Sequence, residues 1–259
     1  MRKPIFLLAV FVVLGVSAWY GQNTLRSYFV GAEKPEPTIT EEPAVPEGEP
    51  ITEAPVKLPE DILRERAFAV AHRPIYVNAK LSPSVEKSAR DKITEVVNMI
   101  QDNYDYDSPW LELAGYRKLI GDYEGAIQAW LFLSEIRPNS FVPLHNIGEL
   151  YAFTLRNHFK GEQYLLGSRE VSQSNTQGYL ALANLYGSAK ELGKQDQVDD
   201  ILIGGLAANP TDTLLMTTLA AYYRDKGERD LALSYYRRAL ELFPDSASLK
   251  QEIAALEAR

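Results

Sequence analysis

The sequence contains no cysteine. This absence excludes structural disulfides, zinc–thiolate sites, iron–sulfur clusters, thiol catalysis and a lipidated N-terminal cysteine. Histidine is also scarce, with three residues, so a metal or acid–base site built on imidazole has few candidates. The sequence has no Gly-x-Ser-x-Gly motif and no glycine-rich phosphate loop ending in Lys-Ser or Lys-Thr. Nothing in it therefore indicates a nucleotide site or a serine hydrolase.

The chain also lacks an excess of basic residues. Its net charge is -8 over 259 residues, made up of +3 in residues 1–30, -6 in residues 31–60 and -5 in the remainder. Binding to a phosphate backbone requires a basic surface, so we do not expect a nucleic-acid partner. Hydrophobic residues at 46% and charged residues at 24% are typical of a globular protein, and the length favours one folded unit with appendages.

The first thirty residues have a membrane-targeting pattern, in which two basic residues precede an uncharged apolar run. As a helix, residues 4–21 would cover about 27 Å of a hydrocarbon core of about 30 Å. We expect residues 1–30 to be a single-pass anchor in the cell membrane, with a cytoplasmic N-terminus and an extracytoplasmic remainder, because the basic pair comes first and Trp19-Tyr20 is typical of an interfacial belt. The alternative is a signal peptide cleaved near Ala18, which would leave a secreted or periplasmic protein.

Residues 31–59 are rich in proline and glutamate, with seven prolines in 29 residues. Proline fixes φ and removes a backbone donor, and the glutamates repel one another, so we expect a disordered but extended linker. In polyproline II conformation it could span up to about 90 Å. The alternative is a proline-rich ligand for a partner module, although no Pro-x-x-Pro stands convincingly beside a basic residue.

Between residues 107 and 245, one pattern of large and small residues occurs four times. Each copy has a large residue, then Leu or Ile followed by Ala or Gly, then a second motif that closes with proline in three copies. The positions are Trp110, Leu113, Ala114, Ala126, Trp130 and Pro138; Leu144, Ile147, Gly148, Tyr151 and Leu166; Tyr179, Leu182, Ala183, Tyr186, Val198, Leu202 and Pro210; and Met216, Leu219, Ala220, Tyr223, Ala232, Tyr236, Ala239 and Pro244. This pattern resembles the tetratricopeptide repeat (TPR) family, and with the N-terminal segment it resembles a membrane-anchored TPR protein of bacterial type.

The resemblance implies an all-α protein, a right-handed α-solenoid of stacked helix pairs that follows an N-terminal transmembrane helix and the Pro/Glu-rich linker. We assign lead-in and N-terminal capping helices to residues 60–106 and a C-terminal capping helix to residues 246–259. The four repeats are assigned to residues 107–140, 141–175, 176–212 and 213–245.

Several positions depart from the family pattern. Arg117 stands where tyrosine is usual, Glu162 where a small residue is expected, and Ser174 where the closing proline is expected. The second and third copies also have turns that are two or three residues longer. We therefore expect irregular packing around the second repeat.

In TPR-like stacks the first helix of each pair lines a concave groove. The facing positions here would be amide, carboxylate and small apolar side chains, which suit an extended peptide or a partner helix. They are Glu112, His145, Asn146, Glu149, Gln177, Leu180, Asn184, Thr217 and Ala221. The family's chaperone-binding clamp for a C-terminal carboxylate is matched only at Asn146, so we do not expect that ligand.

Two groups of residues have a chemical alternative. His145 and Glu149 are four apart on a predicted helix and could supply two metal ligands, but no second histidine is predicted nearby, so a polar pair in the groove is the default. Asp102, Asp105 and Asp107 lack the glycine of an EF-hand-type loop, which favours an acidic loop between helices. We expect no metal and no cofactor.

The sequence therefore predicts a non-enzymatic scaffold, held at the membrane through residues 4–21, whose groove binds a protein or peptide. One alternative is a homo-oligomerising structural module of the cell envelope. A second is a metal-dependent enzyme on a helical-repeat scaffold.

Overall fold

A computed structural model describes residues 58–258, which form eleven α-helices and contain no strand. The predicted anchor, its alternative cleavage site and residues 31–57 of the linker lie outside this part of the chain. The helices are α1 Glu60–Ala71, α2 Pro83–Asp102, α3 Asp107–Leu119, α4 Tyr123–Ile136, α5 Val142–Glu149, α6 His158–Val171, α7 Thr176–Ser188, α8 Val198–Ala208, α9 Thr213–Lys226, α10 Arg229–Leu242 and α11 Ala247–Glu257. No helix within the described residues is both long enough and apolar enough to cross a membrane.

The helices from α3 onward pack as four consecutive pairs, α3 with α4, α5 with α6, α7 with α8 and α9 with α10. The second helix of each pair also packs against the helix that follows it, so that each pair is stacked on the next and α10 is covered by α11. Small residues permit the close approach, because Ala114, Ala126, Ala220 and Ala232 are all fully buried between helices. The expected all-α stack of helix pairs is confirmed.

Side-chain caps and glycine turns determine where these helices begin and end. The carboxylates of Asp122 and Asp212 accept hydrogen bonds from the third backbone N–H of α4 and α9, at 3.1 and 3.0 Å. Such caps contribute about 1 kcal/mol each. Gly121 ends the turn after α3 with a φ of +78°, and a Cβ at this position would lie 2.8 Å from the backbone nitrogen of Ala79. The turn therefore requires glycine both for its conformation and for the close approach of the connector between α1 and α2.

Arg117 explains the first departure from the repeat pattern. Its side chain is fully buried and donates to Asp122 Oδ2 at 2.6 Å. The guanidinium also donates to the backbone carbonyls of Ala71, Arg73 and Pro74 at 3.3, 2.7 and 3.3 Å. Where a repeat would otherwise carry tyrosine, this chain has a charged group that attaches the end of α1 and the start of the connector to the first pair.

The N-terminal helices cover the first pair from two sides. Helix α2 packs along α3, whereas α1 packs against α4 and α2. Ser82 caps the start of α2, because its hydroxyl accepts from Val85 N, and Pro83 is the first residue of the helix. At the opposite end of the molecule, Leu249, Ile253 and Leu256 of α11 are buried against the preceding helices.

The second repeat differs from the expected register by one residue. The small residue that permits close helix packing is Gly161, and not the residue at position 162 as expected. A Cβ on Gly161 would lie only 2.7 Å from Ala152 Cβ, so this position requires glycine. The buried large residue is correspondingly Leu165, with Leu166 half-buried. The extra residue is accommodated in a π-helical segment, Leu150–Thr154, which continues α5 with wider hydrogen-bonded turns.

The consequences of this shift extend to the neighbouring repeat. By the corrected register Gln173, not Ser174, lies two residues after the end of its helix, as Pro138, Pro210 and Pro244 do in the other repeats. Glu162, freed from the helix contact, instead accepts hydrogen bonds from the Tyr186 hydroxyl and the Lys194 ammonium, both at 2.5 Å. The longer turn of the third repeat folds as two short 3₁₀ segments, Lys190–Leu192 and Gln195–Gln197.

Candidate functional site

The first helices of the four pairs present equivalent residues in two rows, which together we call the first-helix face. Members of the first row lie one position after the large residue that opens each repeat, and members of the second row lie five positions after it. The first row is Leu111, His145, Leu180 and Thr217, and the second row is Gly115, Glu149, Asn184 and Ala221. In each helix the two members are four apart and so share one side of the helix.

The sequence-predicted residues are distributed over this face and its borders. His145, Leu180 and Thr217 belong to the first row and Glu149, Asn184 and Ala221 to the second, while Gln177 lies one turn before Leu180 on the same side of α7. Leu180 is half-buried and packs against the core. Thr217 directs its hydroxyl to its own helix, donating to Leu214 O at 3.1 Å. These residues remain predicted contacts.

Glu112 does not belong to either row. Its carboxylate accepts from the Ser108 hydroxyl at 3.0 Å and contributes to raising the pKa of Lys92, which is set mainly by Glu95. Glu112 thus faces α2. The repeat register itself indicated Leu111 and Gly115 as the equivalents of His145 and Glu149, and the sequence reasoning missed them by choosing the polar neighbour.

Asn146 occupies the position equivalent to Glu112 in the second repeat. The corresponding residue of the third repeat, Ala181, is buried, so this row borders the preceding helix pair. Asn146 is half-buried, and its amide makes no hydrogen bond or ion pair with any other described residue. It lies at the edge of the first-helix face and is partly accessible to solvent.

Three side-chain amides are unpaired on this side of the stack. Within residues 58–258, the amides of Asn146, Gln177 and Asn184 have no protein partner, and Gln177 and Asn184 are exposed. This contrasts with Asn78, Asn157 and Gln195, whose side chains are bonded to backbone groups. Each unpaired amide offers two donors and an acceptor to an incoming chain.

Small residues leave open space between these amides. A Cβ placed on Gly115 would meet no atom within 4 Å, and one on Gly187, a turn beyond Asn184, would meet only Val198 Cγ2 at 3.9 Å. Ala221 continues the small character in the fourth repeat. A main chain can therefore approach the helices closely at the first, third and fourth repeats.

His145 is the most perturbed group on the face. Burial lowers its pKa below the ordinary value of 6.5; Glu149 opposes this shift and Lys118 adds to it. The imidazole is therefore neutral at pH 7. Its Nδ1 is buried without a hydrogen-bond partner, whereas Nε2 lies 3.7 Å from Glu149 Oε1. This arrangement favours the tautomer with the proton on Nε2, which directs the ring donor toward the face.

The described residues do not assemble a recognisable catalytic or metal centre. No group of three or more His, Asp or Glu side chains lies close enough to hold a metal ion in this part of the chain. His145 and Glu149 have no third ligand, and His158 binds Glu191 of the next repeat instead. Asp105, which precedes α3, and Asp107, the first residue of α3, both pair with Arg137 directly after the end of α4.

A cavity of about 320 Å³ lies between α1 and the end of α2. Its walls include the stacked rings of Phe68 and His72, whose centroids are 3.8 Å apart, and Tyr104, over which the Arg64 guanidinium lies at 5.2 Å. None of its lining residues is Asp, Glu, Ser or Thr. This lining provides no carboxylate, and its one hydroxyl is the phenol of Tyr104, so the cavity is a weaker candidate than the first-helix face.

Comparison with known proteins gives similarity of fold only. No family model and no curated protein matches the chain. Among solved structures, MamA is 17% identical, with 66% of this chain and 99% of that chain covered and a TM-score of 0.47. A thermophilic TPR protein of Thermus thermophilus is 18% identical, with 76% and 100% covered and a TM-score of 0.47. YrrB, described as a TPR protein with an unusual peptide-binding site, is 15% identical, with 63% and 82% covered and a TM-score of 0.44.

The described part of this chain has a TPR-like fold. That conclusion rests on the order of its helices, the stacking of its pairs and the burial of Leu113, Ile147, Leu182 and Leu219, one from each repeat.

Proposed function

We propose that the protein is a non-enzymatic scaffold that binds an extended segment of a partner protein along the first-helix face. The observation that carries this proposal is the set of unpaired amides of Asn146, Gln177 and Asn184, beside positions with little or no side chain. An extended peptide presents alternating N–H and C=O groups, and an amide side chain can pair with either. Neutral His145 adds a further donor.

The third repeat favours recognition of the main chain over recognition of charge. Its contribution to the face is Gln177, Leu180, Asn184, Gly187 and Ser188, none of which is ionised. In an empty site the amides are satisfied by water. In a desolvated complex each lost amide would leave a peptide group unpaired at about 1–3 kcal/mol, or roughly five- to over a hundredfold in affinity.

A peptide-display selection tests this proposal. The purified full chain would be used to select peptides from a random library, and the binding of an enriched peptide would be measured by calorimetry. We expect the triple variant Asn146→Ala, Gln177→Ala, Asn184→Ala to bind that peptide about a hundredfold more weakly or worse, since each substitution removes about 1–3 kcal/mol. Its melting curve should stay nearly unchanged, because the three amides make no hydrogen bond with any other described residue.

The matched control removes amides elsewhere. Asn98 on α2 and Gln251 on α11 are exposed and unpaired within the described residues, so Asn98→Ala, Gln251→Ala should affect neither binding nor stability. Arg238 on α10 is unsuitable as a control because it donates to Pro210 O at 2.8 Å. Equal binding of the selected peptides by the triple variant and the wild type would show that the face is not the site.

We further propose that the scaffold is tethered to the cell membrane through residues 4–21, with the repeats outside the cytoplasm. The support is the basic pair before an apolar run and the Trp19-Tyr20 pair at its end. The full chain should remain in the membrane fraction through high-salt and alkaline washing, with protease reaching the repeats only from the outer side. A soluble mature protein that begins near Trp19 would contradict the tether.

A further inference from the structure

The turn between the two helices of the second repeat exposes large apolar side chains. Phe153, Leu155 and Phe159 are 36%, 38% and 65% exposed. Among residues 153–160 only His158 is not exposed, so the segment protrudes from the stack. We call residues 153–160 the second-repeat turn. Exposure of three such residues in eight is a cost that the fold does not require, because the turn of the fourth repeat closes without it.

The backbone of the second-repeat turn is also unusual. The other three repeats have a glycine with positive φ in the corresponding turn, Gly121, Gly193 and Gly227. Here the residue with positive φ is Arg156, at +56°, and it is the only non-glycine residue with positive φ among residues 58–258. The left-handed conformation is unfavourable for residues other than glycine, asparagine and aspartate. Packing within the repeat therefore explains neither the exposed apolar side chains nor the conformation of Arg156.

The turn is nevertheless held in place. Leu155 N donates to Leu150 O and Asn157 N to Tyr151 O, both at 2.9 Å, and the Asn157 side chain caps α6 by accepting from Lys160 N at 3.1 Å. On its far side His158 binds Glu191 in the turn of the third repeat. The apolar side chains are therefore displayed from a fixed support.

The charges around the turn are mainly positive. Residues 150–161 contain Arg156 and Lys160 and no acidic residue, in a chain whose net charge is -8. Glu149 and Glu162 flank this stretch in the sequence: Glu149 lies 3.7 Å from His145 Nε2 and Glu162 pairs with Lys194, while Glu191 of the third repeat binds His158. Lys190, in the turn of the third repeat, is exposed and adds a further positive charge.

We propose that the second-repeat turn docks on an anionic lipid bilayer. A protruding turn with two phenylalanines and a leucine can insert into the interface between headgroups and acyl chains, while the flanking arginine and lysine contact anionic headgroups. The occupant that matches both the exposed apolar side chains and the positive charge beside them is an anionic membrane surface.

This docking is separate from the proposed tether, although the two are compatible. A tether would hold the repeats near a bilayer and so raise the effective concentration of the turn at the surface. Docking would then fix the orientation of the stack and leave the first-helix face available at a defined position above the membrane.

The absence of cysteine permits a direct test with the full chain. Thr154 is exposed and lies between Phe153 and Leu155, so Thr154→Cys carries an environment-sensitive fluorophore without removing an apolar residue. Gln251→Cys on α11 is the matched control. Each labelled full chain would be reconstituted into phosphatidylcholine vesicles with or without phosphatidylglycerol, and quenching by a lipid-borne quencher in the acyl region would be measured.

We expect quenching at position 154 on vesicles that contain phosphatidylglycerol, and none at position 251. Neutralising the basic pair with Arg156→Gln, Lys160→Gln should lower the ratio of docked to free turn by about fivefold for each residue. Leu155→Ser, Phe159→Ser should abolish quenching, with unchanged helical circular dichroism to show that the stack is folded.

Two results would overturn the proposal. The first is quenching at position 154 no greater than at position 251 on anionic vesicles. The second is a fluorescence change at 154 that follows protein concentration in the absence of lipid, which would assign the turn to contact between copies of the chain. Alkaline extraction distinguishes this proposal from the tether: a chain that is washed from membranes but still quenched on anionic vesicles would lack the tether and retain the docking turn.

Discussion

At the scale of single residues, the buried pair of Arg117 and Asp122 attaches the N-terminal helices to the repeats. Arg117 donates to three backbone carbonyls as well as to Asp122, and Asp122 also caps α4. Burial lowers the pKa of Arg117, and the hydrogen bond and charge of Asp122 oppose that shift. A buried ion pair adds little net stability, but it is costly to break, because the remaining charge is left without compensation.

Replacing Arg117 by methionine should therefore destabilise the protein by about 3–5 kcal/mol, measured by urea unfolding. The double variant Arg117→Met, Asp122→Asn should recover part of this loss, because the amide oxygen can still cap α4 and the buried side chain that loses Arg117 is no longer charged. Hydrogen exchange of the Asn78 and Ala79 amides, which donate to Ile120 O, should become faster in the single variant.

The control for this prediction is Lys87→Met. Lys87 pairs with Asp91 at 2.6 Å on the exposed surface of α2, where solvent screens the ion pair and its loss should cost much less. A cost at Arg117 no larger than at Lys87 would show that the buried pair does not hold the N-terminal helices.

His145 gives the stability a defined pH dependence. Its folded-state pKa lies below the unfolded value, so in acid the unfolded chain takes up the proton first. The contribution of neutral His145 is fully present above about pH 6.5 and is lost as the pH falls toward the folded-state pKa. Between about pH 7.5 and about pH 5.5, the unfolding free energy of the wild type should fall more than that of His145→Gln. Parallel pH profiles for the two proteins would contradict this assignment.

At the scale of helices and turns, the sequence pattern predicted the pairs well because their contacts are local and repeat at a nearly constant spacing. Ala126 and Ala232 each lie nine residues after the position of Arg117 or Tyr223. In the second repeat the equivalent interval is ten, from Tyr151 to Gly161, and the π-helical segment accommodates the difference. A pattern of residue types does not show at which point of a helix or turn an extra residue is accommodated. The position predicted for the small residue was therefore wrong by one, at Glu162 and not at Gly161.

A pair of glycine substitutions tests the corrected register. Gly161→Ala should destabilise by about 1–3 kcal/mol, because the new methyl group would lie 2.7 Å from Ala152 Cβ in a packed contact. Gly115→Ala should instead stabilise by up to about 1 kcal/mol, since the site is helical and its surroundings are open. Thermal midpoints of the two variants measure both effects. A thermal midpoint of Gly161→Ala equal to or above that of the wild type would mean that Gly161 is not the helix contact.

The role of Arg117 could not be predicted in the same way. Its partners at Ala71, Arg73 and Pro74 are more than forty positions earlier in the chain, and no repeat places them there. The sequence marked Arg117 as a departure from the pattern, and only the packing of α1 and the connector gave the reason. The same applies to Glu112, whose orientation depends on α2, a helix outside the repeats.

At the scale of the whole molecule, the stack aligns equivalent positions of four repeats into one surface. Most of the residues predicted from the sequence for the partner site lie on the first-helix face or at its edge, because they recur with the same register that specifies the pairs. The surface combines unpaired amides, small residues and a neutral histidine, whereas the charged groups near it are mostly paired, as Arg224 is with Asp225 and Glu252. If the proposed function holds, we expect a partner to be recognised chiefly through its main chain.

The most direct test is capture of proteins from a membrane extract on the full chain, quantified by mass spectrometry for three forms of the protein. These are the wild type, the double variant that combines Asn146→Ala with Asn184→Ala, and the control double variant that combines Asn98→Ala with Gln251→Ala. We expect the wild type and the control to capture the same partner. The first double variant should capture roughly twentyfold less of it, or less still, and its melting curve should be unaltered. Equal capture by all three forms would contradict the account and place the partner site away from the first-helix face.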